Sequence, residues 1–193
     1  LPRVHMSSTD TFGPNKTNVK FPWPQDITGL ERIVLSTNGS LQRLLSAYFA
    51  EQIDAEVVST HTYYSQSEDD KESKSLPLTQ RRIINLICNG TVVCTATSTI
   101  VVHSREVADL FDKGFFIGQV IRQLQKTPSF TLLDVNVRDV EEDSLGSSAL
   151  SSALSTPSTS SQGRKQRLWR HYKLGIEGLE CDIEELFMDR DMF

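Results

Sequence analysis

A carboxylate and a guanidinium stand in this sequence where strand alternation places them among apolar side chains. In a predicted strand over residues 182–188, Glu185 shares one face with Ile183 and Phe187, because successive side chains of a strand point to opposite faces. A carboxylate on a buried face needs a partner, or it takes up a proton and becomes a candidate acid. Two hypotheses follow for Glu185, a general acid or one member of a buried structural ion pair.

The guanidinium belongs to Arg82, which shares its strand face with Ile84, Leu86 and Cys88. An arginine at the edge of such an apolar face can hold a carboxylate through two parallel hydrogen bonds. The alternative is an arginine at a strand end, whose stem packs on the sheet while its head reaches water. The pattern therefore predicts either an anion clamp or a surface residue.

Two further candidates lie in the predicted strand 168–174. Arg170 alternates with Leu168 and Tyr172 and could act as a second clamp, although the pattern favours solvated pairing with the acidic loops. His171 lies on the opposite face. A neutral imidazole can act as a base, but an exposed strand histidine is the commoner outcome.

Composition and missing motifs exclude several classes of function. The 193 residues carry a net charge of −5 without a long basic run, which disfavours nucleic-acid binding because phosphate contacts need clustered lysine and arginine. No apolar run approaches the length of a membrane span or of a secretory signal. Three cysteines without a Cys-x-x-Cys spacing argue against disulfides and zinc. Phosphate-loop, His-Glu-x-x-His and Gly-x-Ser-x-Gly motifs are absent. We predict a cytoplasmic protein that needs no cofactor or metal and binds neither nucleic acid nor membrane, with its oligomeric state left open.

Periodicity predicts an α+β domain with an antiparallel sheet flanked by helices. Asn89-Gly90 is the strongest hairpin signal in the chain, and Glu177-Gly178 closes the last hairpin. Runs of helices and strands with hairpin connections favour an antiparallel arrangement over alternating parallel units. Helices are predicted over 27–35, 41–50, 104–113 and 115–124, and strands over 53–61, 80–88, 91–102, 130–140, 168–174 and 180–188.

The predicted domain spans residues 27–193. Residues 1–26 are expected to be a tag remnant followed by a polar, proline-containing arm. The polar segment 64–75 is expected to be a mobile loop. The serine-rich segment 144–163 is of low complexity, and we expect a disordered insertion within the domain rather than a boundary.

Four stretches together resemble the chorismate pyruvate-lyase family. One looks like the family's opening helix–turn–helix, one like its arginine-containing strand and tight turn, one like its Pro-Leu-Gly-x-hydrophobic motif, and one like its closing hairpin with Thr-Glu-x-Phe. In chain order they are 29–45, 82–90, 116–121 and 170–187. The likeness covers residues 27–190 without the serine-rich insertion.

The resemblance implies a ligand pocket buried beneath two helical flaps, on an antiparallel sheet. It also implies cofactor-free cleavage of chorismate into 4-hydroxybenzoate and pyruvate. The family's carboxylate-binding arginine falls on Arg82, its catalytic glutamate on Glu185, and its glycine beside the ligand on Gly118. Both Arg82 and Glu185 are thereby expected to be catalytic.

The sequence departs from the family pattern around the expected pocket. Thr97 stands where members carry Arg or Glu, and Phe116 replaces the proline of Pro-Leu-Gly. We expect Thr97, Phe116 and Gly118 to bind substrate, together with Arg82 and Arg170.

Three functions remain open at this point. The departures favour a cofactor-free enzyme that acts on a carboxylated or enolic cyclic, aromatic or polyketide-like metabolite, by elimination, isomerisation or cyclisation. Authentic chorismate cleavage is the second. The third belongs to another class, a non-catalytic module that binds a small ligand, as the fold resembles effector-sensing domains of some bacterial regulators. Beside these functions stands the alternative of a structural or dimerisation domain, in which Arg82 and Glu185 only pair with each other.

Overall fold

A computed structural model describes residues 9–64, 76–139 and 166–193 of the chain. The elements are β1 (Thr9–Gly13), β2 (Lys16–Lys20), α1 (Gly29–Leu35), α2 (Leu41–Phe49), β3 (Ile53–Tyr64), β4 (Leu78–Cys88), β5 (Thr91–Val102), α3 (Arg105–Asp112), α4 (Ile117–Gln123), β6 (Ser129–Asp139), β7 (Gln166–Ile176), β8 (Leu179–Phe187) and a short 3₁₀ helix, Arg190–Met192. No helix in these three segments has the length and apolar character needed to cross a membrane.

Six strands form one antiparallel sheet in the order β3-β4-β5-β8-β7-β6. Strands that follow one another in the chain lie side by side within each half, β3 to β5 and β6 to β8. The pairing of β5 with β8 joins the halves. This arrangement confirms the predicted α+β class with an antiparallel sheet.

Two tight turns fix the register of the hairpins on either side of that junction. Asn89 and Gly90 both have positive φ, 47° and 78°, which matches the preference of the mirror-image turns that close short hairpins. At the other turn, Ile176 pairs directly with Leu179. The two residues between them therefore set the partner of every residue along β7 and β8.

All four helices lie on one face of the sheet. Helix α1 ends against Arg170, α2 and α4 line a cavity above the sheet, and the α3 residue Phe111 covers Arg82. Apolar positions at helical spacing, such as Leu41 and Leu45 of α2, are buried against this face. The strand residues that point toward the helices therefore form the floor of the core.

The start of α1 is tied to the C-terminal end of the chain. Thr28 and Glu31 form a capping box, in which each side chain accepts a hydrogen bond from the other residue's backbone N–H, at 3.2 Å and 2.6 Å. The Nε of Arg190 donates to the buried Glu31 carboxylate at 2.6 Å. Helix α2 is also tied to the C-terminal end of the chain, because the Tyr48 hydroxyl donates a hydrogen bond to the backbone carbonyl of Met192.

The predicted N-terminal arm contains regular structure. Its residues 9–20 form a two-stranded antiparallel hairpin, β1 with β2. Its strands are polar and therefore lack apolar alternation, while the Pro14-Asn15 turn between them was a usable signal. The expected tag remnant, which precedes Met6, most of the loop at 64–75 and the serine-rich insertion at 144–163 lie outside the described residues.

Two glycines allow α4 to approach the turn between α1 and α2. Gly39, in that turn, has a φ of +82°, and a Cβ placed on Gly118 would lie 2.6 Å from the Gly39 carbonyl oxygen. That distance is too short for any side chain, so the close packing of these two segments requires glycine at position 118.

Replacing Gly118 by alanine should therefore force α4 away from the α1–α2 turn. We expect a loss of about 1–3 kcal/mol in the free energy of unfolding, as for other overpacked positions, measured by urea denaturation. The matched control is Gly29→Ala, at the first turn of α1, because the Cβ would meet its nearest neighbour at an ordinary 3.6 Å. Equal stability of the two variants would contradict the packing argument.

Candidate functional site

A cavity of about 600 Å³ lies between the sheet and helices α2 and α4. Its volume is that of a site for a small organic molecule. The sheet residues that line it are Ile53, Ala55, Ile84, Leu86, Ala96, Ser98, Tyr172, Leu174, Ile183 and Glu185. Most of this floor is apolar, and Glu185 is the charged residue within it.

The Glu185 carboxylate forms a buried ion pair with Arg170. Arg170 is 0% exposed and Glu185 is 5% exposed. The Nε of Arg170 donates to Oε2 of Glu185 at 2.6 Å, and Nη2 lies 2.6 Å from the same oxygen. Burial alone would disfavour the guanidinium charge, yet the adjacent carboxylate outweighs burial and raises the pKa of Arg170. The expected solvated pairing of Arg170 with acidic loops is therefore wrong, because its alternation with Leu168 and Tyr172 carries it into the core.

The same guanidinium closes the end of α1. Its Nη1 donates to the carbonyl oxygens of Leu35 at 2.7 Å and Thr37 at 2.9 Å. The last carbonyls of a helix lack partners within the helix and carry its negative dipole end. Arg170 therefore neutralises Glu185 on the sheet and satisfies the C-terminal end of α1 with one side chain.

Tyr172 completes the environment of the carboxylate. Its hydroxyl donates to Oε1 of Glu185 at 2.8 Å, and the guanidinium carbon of Arg170 lies 4.4 Å from the centre of its ring. Burial and the neighbouring negative charge raise the pKa of Tyr172 well above its ordinary value, so the phenol keeps its proton and remains a donor. Each oxygen of Glu185 thus has a hydrogen-bond donor, which is the arrangement of the structural-pair hypothesis.

Arg82 does not reach the cavity. It is buried, at 7% exposure, and is not among the lining residues. Its Nη1 donates to the Phe115 carbonyl at 3.4 Å, and its guanidinium carbon lies 4.8 Å from the centre of the Phe111 ring. Burial lowers its pKa. Helix α3 and the α3–α4 turn pack over this side chain. Arg82 is therefore neither an anion clamp in the cavity nor a strand-end arginine whose guanidinium reaches water, and both sequence hypotheses are corrected.

Thr97 also lies away from the cavity, contrary to its prediction. It is exposed and pairs with Glu184, on the sheet face opposite the helices. Ala96 and Ser98, one residue to either side, are the β5 residues that line the cavity. Strand phase is the reason, since neighbouring residues of a strand point to opposite faces.

The remaining predicted residues, Phe116 and Gly118, do line the cavity, at the start of α4. The backbone N–H of Phe116 donates to the Gln119 side chain at 3.0 Å, which fixes this first turn. Since Gly118 also touches the backbone at Gly39, it shapes the upper wall of the cavity.

Sequence reasoning missed Tyr172 and Ser98 in the floor and two arginines, Arg43 and Arg122, in the lining. For Tyr172 a signal existed, because the two-residue turn at Glu177-Gly178 dictates which residues of β7 and β8 are neighbours. The lining by α2 and α4 depends on helix placement, which no local pattern encodes.

Other groups with potential chemistry lie outside the cavity. His171 pairs with Asp182 at 2.8 Å on the opposite sheet face. The three cysteines are buried and free of disulfides. Within residues 9–64, 76–139 and 166–193, no three His, Cys, Asp or Glu side chains are grouped to hold a metal ion.

Comparison with known proteins adds no identification. No model of a protein family matches the chain, and no curated protein matches it. The fold and the site define an α+β protein with a six-stranded antiparallel sheet and a cavity whose floor carries a buried Arg–Glu–Tyr group.

A double-mutant cycle on Arg170→Met and Glu185→Leu tests the ion pair. Each single change leaves an uncompensated buried charge, and we expect a loss of about 3–5 kcal/mol in the free energy of unfolding. The double variant should lose less than the two together, with a coupling of about 1–3 kcal/mol. Strictly additive losses in chemical denaturation would refute the coupling.

The exposed pair Lys126–Glu177, at 3.1 Å with side chains 40% and 91% exposed, is the control for that cycle. Because solvent screens such pairs, neutralising both partners should reveal a coupling of about 0–1 kcal/mol.

The buried thiols should be unreactive in the folded protein. Burial raises the pKa of Cys181 to about 12 and, with the nearby Glu185 charge, raises the pKa of Cys94 well above its ordinary value. Thiolate is the reactive form, so labelling by a thiol reagent at pH 8 should proceed only as fast as the protein unfolds. Rapid modification of either residue in native protein, identified by mass spectrometry, would contradict this expectation.

Proposed function

We propose that the cavity is a substrate site and that the protein is a cofactor-free enzyme. Its substrate would be a carboxylated or enolic cyclic, aromatic or polyketide-like metabolite, converted by elimination, isomerisation or cyclisation. One observation carries the proposal: Glu185, a carboxylate at 5% exposure, borders the cavity and is held by donors from Arg170 and Tyr172. A carboxylate fixed in a mostly apolar cavity can accept a proton from a substrate placed against it.

The roles follow from the contacts. Glu185 would act as the base, because a carboxylate that already accepts from a guanidinium and a phenol presents acceptor oxygens rather than an acidic proton. Arg170 and Tyr172 act through Glu185 by holding its orientation, and are positioning residues. The apolar side chains Ile84, Leu174 and Ile183 line the same space and would exclude water from the reacting atoms.

Elimination illustrates how such a site would work. Glu185 takes a proton from a ring carbon, and the electrons of the broken C–H bond form a new C=C bond. The bond from the neighbouring carbon to its oxygen substituent breaks, and the leaving oxygen carries away that electron pair. The proton held by Glu185 then passes to the leaving group or to solvent, which restores the carboxylate.

Chorismate is the specific case that the sequence resemblance favours. Loss of a ring proton, with cleavage of the bond between the neighbouring ring carbon and the ether oxygen, would give 4-hydroxybenzoate and enolpyruvate, which tautomerises to pyruvate. Against it, Arg82 is packed beneath Phe111 and Thr97 faces the other side of the sheet, so neither meets a substrate in the cavity. For this reason a less charged substrate is the first proposal.

Incubating the protein with chorismate, and measuring the release of pyruvate and 4-hydroxybenzoate, separates chorismate cleavage from action on another substrate.

If chorismate or another metabolite is turned over, Glu185→Asp should lower kcat by at least about 100-fold, because the carboxylate is withdrawn by one methylene while the charge that pairs with Arg170 remains. Tyr172→Phe should cost about 10-fold. The control is Glu184→Gln, on the opposite sheet face beside Trp169, with unchanged kcat. Full activity in folded Glu185→Asp would disprove the assignment.

A binding module without catalysis is the second candidate. One observation favours it: both carboxylate oxygens of Glu185 already accept hydrogen bonds from the protein's own Arg170 and Tyr172 side chains. In that case aromatic carboxylates should bind saturably in calorimetry, and no wild-type conversion of the same compounds should be detected.

A further inference from the structure

The charges around the cavity fall into two regions, a buried interior and an exposed rim. In the interior the charged residue is Glu185, and Arg170 neutralises it from below. The rim is defined by the lining residues that are exposed, namely Gln42, Arg43, Ala47, Gln52, Gln119 and Arg122.

The charged residues of the rim are both arginines. Arg43 belongs to α2 and Arg122 to α4, so they stand on the two helices between which the cavity opens. Among the described residues neither forms an ion pair, and Glu185 is the sole acidic residue of the lining. Two unpaired cations at one opening are notable in a chain whose net charge is −5.

Among the described residues, the buried lining of the cavity offers no free cation to an anionic ligand. Arg170 is already engaged by Glu185 and by the carbonyls at the end of α1, and Arg82 lies outside the lining. An anion placed in the interior would lose its hydration and gain no free cation as a partner, because Arg170 already pairs with Glu185. At the rim it would keep contact with water and could accept charge-assisted hydrogen bonds from guanidinium groups.

We propose that the ligand is an amphipathic anion that binds with its charged group at the rim, between Arg43 and Arg122, and its apolar or cyclic part inside. A hydroxyl or enol at the inner end would donate to Glu185. This inference rests on the proposed function for the location of the site. It reverses the orientation that the sequence resemblance implies, in which Arg82 holds the carboxylate.

Two sources of the anion share the same chemistry. A free acid would bring a carboxylate, and a conjugated metabolite would bring a phosphate monoester. Both present anionic oxygens to a guanidinium fork, and they are separated by comparing an aromatic carboxylate probe with an aromatic phosphate probe.

The test uses 4-hydroxycinnamate, which has a carboxylate at one end and a hydroxyl at the other, and measures its Kd by isothermal titration calorimetry. The comparison compounds are its methyl ester and phenyl phosphate. The variants are Arg43→Gln/Arg122→Gln, Arg82→Gln, and Arg81→Gln as the matched control, since Arg81 is exposed and its neighbours in β4 face the helices.

We expect the double rim variant to weaken binding of the acid by at least about 10-fold and Arg81→Gln to change it less than about 2-fold. The ester should bind more weakly than the acid, and the Kd of the acid should rise with NaCl because salt screens an exposed ionic contact. Tighter binding of phenyl phosphate, with the same dependence on the rim arginines, would identify phosphate as the preferred anion.

Two outcomes would overturn the inference and leave the proposed function intact. One is loss of affinity in Arg82→Gln, confirmed as folded by circular dichroism, with none in the rim variant. The other is equal affinity for acid and ester. Failure of all three compounds to bind the wild-type protein would overturn the inference, while conversion of a metabolite that depends on Glu185 would still uphold the proposed function.

Discussion

The Arg170 side chain is the constraint on which the rest of this structure depends. A guanidinium has five N–H donors in a rigid plane, and here they are divided between a carboxylate on the sheet and the carbonyls that end α1. A fully buried cation is tolerated only when its hydrogen bonds and its charge are met together. The position of α1, and of the turn that leads into α2, is therefore tied to the sheet by a polar interaction rather than by apolar packing alone.

The Arg170–Glu185 ion pair also explains how a mostly apolar cavity can contain a carboxylate in its floor. Glu185 faces open space on one side, while on the other its charge is compensated from within the core. The floor can consequently present a carboxylate without collapsing or drawing a lysine or arginine into the cavity. In the upper wall the start of α4 packs at Gly118 directly against the backbone of Gly39 in the α1–α2 turn, so the shape of this part depends little on flexible side chains.

Much of the fold could be predicted because its signals are local. The Asn89-Gly90 turn predicts where β4 ends and β5 begins to within one residue. The alternation around Glu185 places this residue on the buried face. The pairing of Arg170 with Glu185 was also within reach, since both lie equally far from the Glu177-Gly178 turn and thus face each other across the hairpin. Alternation within a single strand does not reveal that relation, because it says nothing about the partner strand.

The parts that could not be predicted depend on contacts between distant segments. Strands β5 and β8 pair with each other although no turn connects them directly, so no local sequence pattern predicts the strand order. Arg82 occupies the buried face that its alternation predicts, but the direction of its guanidinium is decided by Phe111 and Phe115, whose helix and turn must first be placed. Cavity lining by Arg43 and Arg122 likewise requires the arrangement of two helices to be known.

The sequence separation of the contacts made by Arg170 has a consequence for how the chain is made in the cell. The hydrogen bond from Arg170 to Thr37 links residues 133 apart, and that from Arg190 to Glu31 links residues 159 apart. At a synthesis rate of about 5–20 residues per second, the 133 residues between Thr37 and Arg170 correspond to roughly 7–27 seconds between the appearance of the end of α1 and that of its anchor. Throughout that interval the end of α1 lacks the guanidinium that ties it to the sheet. Contacts between such distant parts of the chain predict slow folding.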